Sequence, residues 1–267
     1  MRCRSRYLLI ITMVILWMGF SHVTLASEEE MALQKVRNNL KDPASLQRGA
    51  TLYMNYCLGC HSLQYSRYVQ MGEYIGMTAI DEEGQLKALE QLIQQNLNFV
   101  SDNVTDSIVS AIPRKEAEQW FGIAPPDLSL VTRARGKDWV YTYLKSFYKD
   151  ESRPWGVNNL LFKDVAMPHA LLSLQGTAVP IYQTVSTADS DPAAQKPSIS
   201  HLEISKPGTL TEAEYDKAIK DLVNFLEYMG EPVKLKRQTL GVYVLLFLIV
   251  LTAFLYLLKR EYWKDIH

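Results

Sequence analysis

Two cysteines and a histidine in residues 57–61 have types and a spacing that could do chemistry. Cys57 and Cys60 are separated by two residues, and His61 follows directly. Cys3 is the only other cysteine in the sequence. Two thiols at this spacing can close a disulfide, exchange electrons as a redox pair or help to bind zinc. They can also form thioethers to the two vinyl groups of a haem, whose iron the adjacent histidine then ligates.

Covalent attachment of a haem c is the interpretation that the rest of the sequence favours. A redox-active pair of this kind usually opens a helix beside a βαβ unit, and the sequence shows no such pattern. A zinc site needs four ligands, and the sequence contains no second Cys-x-x-Cys or His-x-x-x-His pair. A disulfide between Cys57 and Cys60 stays open, since the chain has the features of an exported protein.

The haem iron then has a sixth position that a second side chain can fill. Met167 lies in "DVAMPHALL", where Pro168 keeps the preceding backbone extended, and such a rigid loop can present a thioether to iron. Histidine and methionine together raise the reduction potential and leave no open position on the metal. A core-filling methionine at 167 and ligation by His169 remain the alternatives. The other candidate ligands are Met54, Met71, Met77, Met229 and His201.

Mainly helical elements must position these residues. Gly49 lies inside the helix predicted over residues 43–56, where glycine costs about 1 kcal/mol of helix propensity relative to alanine. We therefore expect another helix to approach closely at Gly49. Residues 150–210 lack helical periodicity, are rich in Pro, Ser, Thr and Asp, and are predicted to form long loops without strands. The predicted helices are 43–56, 81–109, a short one that ends at Gly136, one over 139–148 that Asp138 caps, and one from Thr211 to Gly230 whose capping box pairs Thr211 with Glu214.

The two ends of the sequence predict export and one membrane anchor. Residues 1–26 have a basic start, an apolar stretch of 14 residues and small residues before a cut after Ala26, which is typical of a signal peptide. An uncleaved anchor is disfavoured, because a spanning helix needs roughly 20 apolar residues. Residues 240–258 are uncharged and long enough to span. We therefore expect a signal peptide over 1–26, a periplasmic haem domain over 27–233 and an anchor over 234–267 with a short cytoplasmic tail.

Charge is distributed unevenly along the chain. The whole sequence has a formal charge of −1, but residues 27–233 hold 19 Lys and Arg against 27 Asp and Glu, a charge of −8. An acidic surface speeds encounter with a cationic partner. The alternative is that this acidity serves solubility only.

The order of the motifs resembles that of the cytochrome c1 family, bacterial type. The segments that carry the resemblance are "RGATLYMNYCLGCHSLQYSRY", "APPDLSLVTRARG", Met167-Pro168 and "FLEYMGEP" followed by the apolar helix. The resemblance implies a mainly α cytochrome c-like haem domain with long loop insertions plus one C-terminal transmembrane helix. It also implies that Cys57 and Cys60 carry haem c, that His61 and Met167 ligate its iron, that Arg135 contacts a haem propionate and that Pro126 lines the pocket. An arginine at a helix end that meets the helix dipole is the alternative for Arg135.

The same resemblance implies electron relay in a bacterial inner membrane. An electron passes from the Rieske iron–sulfur protein through the haem to a soluble or tethered, cationic cytochrome c, with cytochrome b as a further partner and no role for nucleic acid. This subunit would make and break no bond, so it would be non-catalytic within an oxidoreductase complex. The alternatives are a stand-alone membrane-tethered cytochrome shuttle, a haem peroxidase and a redox or gas sensor.

Overall fold

The computed structural model describes residues 31–77, 85–184 and 197–264 of the 267-residue chain, and the signal peptide predicted over 1–26 lies outside these ranges. The helices are α1 (Pro43–Tyr56), α2 (Tyr68–Tyr74), α3 (Gln85–Asn96), α4 (Arg114–Phe121), α5 (Val131–Ala134), α6 (Lys137–Lys145), α7 (Leu172–Gln175), α8 (Glu212–Gly230) and α9 (Lys234–Tyr262). The strands are β1 (Leu63–Arg67), β2 (Ser107–Ile108), β3 (Phe147–Lys149), β4 (Val157–Asn159), β5 (Gly176–Thr184) and β6 (Pro197–Pro207).

The crossing of α1 and α8 forms the centre of the hydrophobic core. The α1 helix begins at Pro43, with the Asp42 side chain accepting a hydrogen bond from the Ser45 amide at 3.2 Å. A β-carbon at Gly49 would lie 2.2 Å from the Asp221 carbonyl oxygen and 2.6 Å from Phe225 Cβ. Glycine is therefore required for the two backbones to meet, and the predicted close approach of a second helix at Gly49 is confirmed.

A buried carboxylate holds the register of this crossing. Asp221 is 4% exposed and accepts hydrogen bonds from Ser45 Oγ at 2.6 Å and from Arg48 Nε at 2.6 Å. The Asn224 amide donates to the same Ser45 hydroxyl at 3.0 Å. Because a buried charge is costly unless it is paired and hydrogen-bonded, these contacts favour one alignment of α1 on α8.

The prediction of long loops without strands over residues 150–210 is wrong. In the described ranges, β1 pairs with β2, β3 with β4 and β5 with β6, each pair antiparallel. The β5–β6 hairpin is paired from Gly176 opposite Pro207 out to Thr184 opposite Pro197. Its outer half carries few buried side chains, and Tyr182 is 58% exposed. A ribbon of two strands that buries so little does not need apolar residues at alternate positions, so the strand pattern is weak in the sequence.

Two helix predictions also differ from the structure. The helix predicted over 81–109 corresponds to α3, which ends at Asn96 and is followed by a turn in which the Asn98 side chain accepts the Ser101 amide at 3.0 Å. The predicted start of this helix, over residues 81–84, lies outside the described ranges. Asp138 does not cap its helix: Gly136, with φ of 88°, occupies the N-cap of α6. The Asp138 carboxylate instead accepts the Val36 amide at 2.9 Å and so attaches the segment before α1 to α6.

The α9 helix is the membrane candidate. It contains 29 residues, which span about 44 Å at 1.5 Å per residue. Its most apolar window has a mean hydropathy of 2.6 and buries nothing inside the protein. Within the described ranges it is the one helix long and apolar enough to cross a membrane. The mainly helical fold with one apolar C-terminal helix is confirmed, and the predicted span 240–258 lies inside α9.

Candidate functional site

One tight turn at the end of α1 carries both cysteines and the histidine. The Cys57 amide bonds to the Tyr53 carbonyl at 2.9 Å, and the Cys60 and His61 amides bond to the Cys57 carbonyl at 3.0 and 2.8 Å. Both thiols are free, Cys57 buried and Cys60 partly buried. Burial raises the pKa of Cys57 to about 12 and also raises the pKa of Cys60. Both thiols are therefore protonated, and one turn of the chain carries both cysteines and His61.

The His61 ring is oriented by a main-chain oxygen. Its Nδ1 lies 2.8 Å from the Pro126 carbonyl oxygen. A carbonyl can only accept, so Nδ1 carries the proton and Nε2 is left with its lone pair. Burial lowers the pKa of His61, which favours the neutral ring that binds metals. The role predicted for Pro126 in the pocket wall stays a prediction, whereas the contact between its carbonyl and His61 is present in the structure and fixes the tautomer.

The segment "PPDLS" runs alongside the residues that follow His61. Three hydrogen bonds connect the two segments, which are about 65 residues apart in the chain: Leu128 N to Ser62 O at 2.9 Å, Gln64 N to Asp127 Oδ2 at 2.9 Å and Tyr65 N to Ser129 Oγ at 3.3 Å. The Asp127 carboxylate also accepts the Ser129 amide at 2.8 Å and so shapes the segment itself. Together these contacts hold the Pro126 carbonyl next to the His61 ring.

Met167 lies in a second, smaller apolar cluster. The side chain is partly buried and packs against Phe147, Val157 and Val165. The Tyr143 hydroxyl of α6 donates a hydrogen bond to Met167 Sδ at 3.4 Å. The thioether is therefore held at the edge of this cluster and not enclosed in the main core.

A row of side chains on α6 leads from the end of the "RARG" segment to Met167. The Tyr143 ring is stacked on Trp139, with centroids 5.0 Å apart and planes 9° apart, and it meets Phe147 edge-on at 5.2 Å. Arg135 Cζ lies 5.2 Å from the centroid of the Trp139 ring. Trp139 and Tyr143 are four residues apart in α6, so their side chains lie on one side of this helix, and Arg135 reaches Trp139 from the turn before the helix. This row was not recognised in the sequence, where its aromatic residues looked like core positions.

The loop before Met167 is organised by a buried asparagine. Asn159 is fully buried, and its Nδ2 donates to the Tyr143 carbonyl at 2.8 Å. Its Oδ1 accepts the amides of Leu161 and Phe162 at 3.0 and 3.1 Å. One side chain thus joins α6 to the loop that delivers Met167.

A second asparagine fixes the next bend of this loop. Asn158 Oδ1 accepts the Asp164 amide at 2.9 Å. Asp164 has φ of 58°, the left-handed region that non-glycine residues adopt at a cost. Arg153 donates to the Asp164 carbonyl at 2.9 Å and pairs with its carboxylate at 2.9 Å. These contacts stabilise the bend before Met167.

The rival ligands are engaged elsewhere. His169 Nε2 lies 2.9 Å from Gln175 Oε1, and its ring is stacked on Phe147 at 4.8 Å. Burial lowers the pKa of His169 to about 4. Met54, Met71 and Met229 are at most 5% exposed and fill the main core, Met77 packs against that core, and His201 is exposed on β6.

The donor set fits a haem c. Two free thiols are separated by two residues, a neutral imidazole keeps Nε2 available, and a methionine is presented by a separate ordered loop. Among the described residues, no group of three or more His, Cys, Asp or Glu is arranged to hold a metal ion by itself. Two free thiols beside a histidine are the groups that covalent attachment of a haem requires.

Known proteins with similar sequences point in the same direction. A family model described as "Cytochrome C1 family" matches residues 35–196 and 203–266, a range that includes all the candidate site residues. A cytochrome c1 from Allochromatium vinosum is 46% identical over 243 residues, which cover 91% of this chain and 93% of the relative. A protein from Nitrosomonas europaea named ammonia monooxygenase gamma subunit is 42% identical over 92% of this chain and 93% of its own length. A cytochrome c1 from Rhodospirillum rubrum is 29% identical over 84% of this chain and 83% of its own length.

Proposed function

We infer the function of this chain from its family: it belongs to the cytochrome c1 family, whose members are the electron-transfer subunit of the cytochrome bc1 complex and carry a covalent haem c. From this premise we propose that Cys57 and Cys60 form the two thioether bonds to the haem and that His61 and Met167 ligate its iron. Membership of the complex implies cytochrome b and the Rieske iron–sulfur protein as partners.

The hydrogen bond from His61 Nδ1 to the Pro126 carbonyl is the observation that carries the proposal. A ligating histidine usually donates its second ring N–H to an acceptor, which fixes the ring and strengthens the ligand. The turn that bears His61 also bears both cysteines. The main chain of the protein therefore orients the proposed iron ligand His61.

Met167 would supply the second side-chain ligand of the iron. When bound, the haem supplies an iron that alternates between its ferric and ferrous forms. As a ligand, the thioether of Met167 would favour the ferrous form and would leave no open position for oxygen or a substrate. The residues of this chain would thus bind the haem, orient it and exclude water from its iron. They support electron relay without a bond-making step at this subunit.

Arg135 and Pro126 have supporting roles in this proposal. Arg135 is exposed, lies over Trp139 and has no ion pair with a carboxylate of the described residues. Its guanidinium is free to form a charge-assisted bond with a haem propionate. Pro126 contributes its carbonyl to His61 and its ring to the wall of the pocket.

The membrane position follows from the ends of the chain. We propose that residues 1–26 are a signal peptide, that residues 27–233 lie on the periplasmic side of the bacterial inner membrane, and that residues 234–267 anchor the protein with a short cytoplasmic tail. The uncharged stretch of α9 supports the anchor. The charge of −8 over residues 27–233 supports a cationic cytochrome c as the electron acceptor.

Replacement of the distal ligand tests the site. In the membrane-bound, haem-loaded protein we expect Met167→Leu to lose the long-wavelength ferric absorption band of thioether ligation, to bind carbon monoxide and to have a lower reduction potential. Met77→Leu is the matched control, because Met77 packs against the main core, and it should keep the wild-type spectrum. A Met167→Leu protein that keeps the band and excludes carbon monoxide would show that another residue is the ligand.

A further inference from the structure

The hydroxyl of Tyr143 makes a contact with Met167 that iron ligation alone does not require. It donates to Met167 Sδ at 3.4 Å, within the range for a sulfur acceptor. A thioether sulfur has two lone pairs, so it can give one to iron and accept a hydrogen bond with the other. We propose that Tyr143 keeps this hydrogen bond in the haem-loaded protein and thereby raises the reduction potential of the haem. The inference rests on the proposed role of Met167 as ligand.

Contacts that do not involve Met167 fix the position of the Tyr143 ring. One face is stacked on Trp139 at 5.0 Å, and Phe147 meets the ring at 5.2 Å with planes 72° apart. The Tyr143 carbonyl oxygen accepts a hydrogen bond from Nδ2 of the buried Asn159 at 2.8 Å. Because backbone and ring are both held, the hydroxyl has little freedom to turn away from Sδ.

The sign of the effect follows from the charge on iron. A hydrogen bond to the sulfur draws electron density away from the ligand, which weakens its donation to the metal. The ferric ion depends more on that donation than the ferrous ion, so the ferric form loses more stability and the potential rises. Hydrogen bonding to ligand atoms is one of the recognised means by which a protein adjusts a haem potential.

Removal of the hydroxyl alone separates this role from packing. Tyr143→Phe keeps the ring and its contacts with Trp139 and Phe147. We expect the midpoint potential of the full-length, haem-loaded protein to move to a lower value in a redox titration, while the ferric thioether band remains and carbon monoxide does not bind. Tyr141→Phe is the matched control: it removes a hydroxyl from the same helix, but that hydroxyl donates to Asp216, so its potential should stay at the wild-type value.

A second variant reverses the sign. A ring-fluorinated tyrosine at position 143 is a stronger hydrogen-bond donor of nearly the same size, so we expect its potential to lie above that of the wild type. A purely structural role for Tyr143 predicts no such increase. The second variant also covers the case in which Tyr143→Phe fails to assemble with haem.

Three results would overturn the inference or its basis. An unchanged potential in Tyr143→Phe and in the fluorinated protein would refute the hydrogen bond as a source of tuning. Loss of the thioether band in Tyr143→Phe would also refute it, because the residue would then be needed for ligation itself. A separate result would show that Met167 is not the iron ligand: the Met167→Leu protein would then retain the ferric thioether band.

Discussion

Arg135 has an exposed cationic side chain next to the aromatic row that leads to Met167. If its guanidinium contacts a haem propionate, it stabilises the ferrous iron and the ionised propionate together. We expect Arg135→Gln to lower the reduction potential and to raise the pH at which the potential begins to depend on propionate ionisation. Redox titrations at several pH values measure both effects.

Arg133 provides the control for this prediction. Arg133 is also exposed and lies in the same short segment. Its side chain is not part of the aromatic row but lines a separate cavity together with the charged residues Lys137 and Glu231. Arg133→Gln should leave both quantities nearly unchanged. Equal shifts in the two variants would favour a general effect of charge over a propionate contact.

Asp138 gives a pH-dependent contribution to stability. The amide of Val36 and, less strongly, the ammonium of Lys35 lower the pKa of its carboxyl below the usual value. A lowered folded-state pKa adds stability above the unfolded value of about 3.9, and that stability is lost as the pH falls through the folded-state pKa. We expect Asp138→Asn to cost about 1–2 kcal/mol in the free energy of unfolding at pH 7, and less below about pH 4.

Denaturant unfolding of the two proteins at pH 7 and pH 3 measures this difference. Lys35→Met is the control, since the Lys35 side chain is 79% exposed and its ion pair with Asp138 should contribute little. A cost for Asp138→Asn that is the same at both pH values would contradict the assignment to the ionised carboxylate.

Among the helices, the crossing of α1 and α8 is the contact least tolerant of added volume. A methyl group at residue 49 would overlap the Asp221 carbonyl, which belongs to the backbone and cannot rotate away. Alanine gains about 1 kcal/mol of helix propensity, but overpacking typically costs about 1–3 kcal/mol, and more where a backbone must move. We therefore expect Gly49→Ala to lower the free energy of unfolding of the haem domain.

The same substitution in another helix is its control. Gly241 in α9 has no atom within 4 Å of an added β-carbon. Gly241→Ala should leave the denaturation midpoint in detergent unchanged or slightly higher. If Gly49→Ala were as stable as wild type, α1 and α8 would have to be able to separate without loss of packing.

Local patterns explain which elements could be predicted. The helices α1, α6 and α8 have apolar stripes, and a glycine, a proline or a capping box marks their ends, so sequence alone indicated them. Asp138 had the residue type of a helix cap, but it binds the Val36 amide about 100 residues away. No local pattern carries that information, and the same holds for the β5–β6 pairing.

The residues of the site also divide into those that the sequence indicated and those that only the structure revealed. Cys57, Cys60 and His61 are adjacent, and Met167 has a neighbouring proline, so their types and spacing indicated their chemistry. Tyr143 and Asn159 hold the Met167 loop through contacts across 16 to 24 residues of intervening chain. Such contacts depend on the tertiary fold, so these two residues could be found only from coordinates.

For the molecule as a whole, the unequal distribution of charge predicts how electron transfer responds to salt. Residues 27–233 carry −8, whereas residues 1–26 carry +3 and residues 234–267 carry +4. The Debye length falls from about 30 Å at 0.01 M salt to about 8 Å at 0.15 M, so attraction to a basic acceptor weakens. We expect the bimolecular rate of oxidation by a cationic cytochrome c to fall steeply over this range, as measured by stopped flow.

An acidic acceptor of similar size supplies the comparison. Its rate should rise with salt, because screening then reduces repulsion. Rates that do not depend on salt for either acceptor would mean that the acidity serves solubility and not encounter.

The two proposed iron ligands are held differently, His61 by a main-chain oxygen and Met167 by a side-chain hydroxyl, and this difference has consequences for evolution. His61 is oriented by the carbonyl of residue 126, which every amino acid possesses. Substitutions there can keep the contact as long as the backbone path survives. Met167 is approached by the hydroxyl of Tyr143, which a single nucleotide change can remove. Descendants of this protein could therefore adjust their redox potential to a new acceptor while the attachment of the cofactor is inherited unchanged.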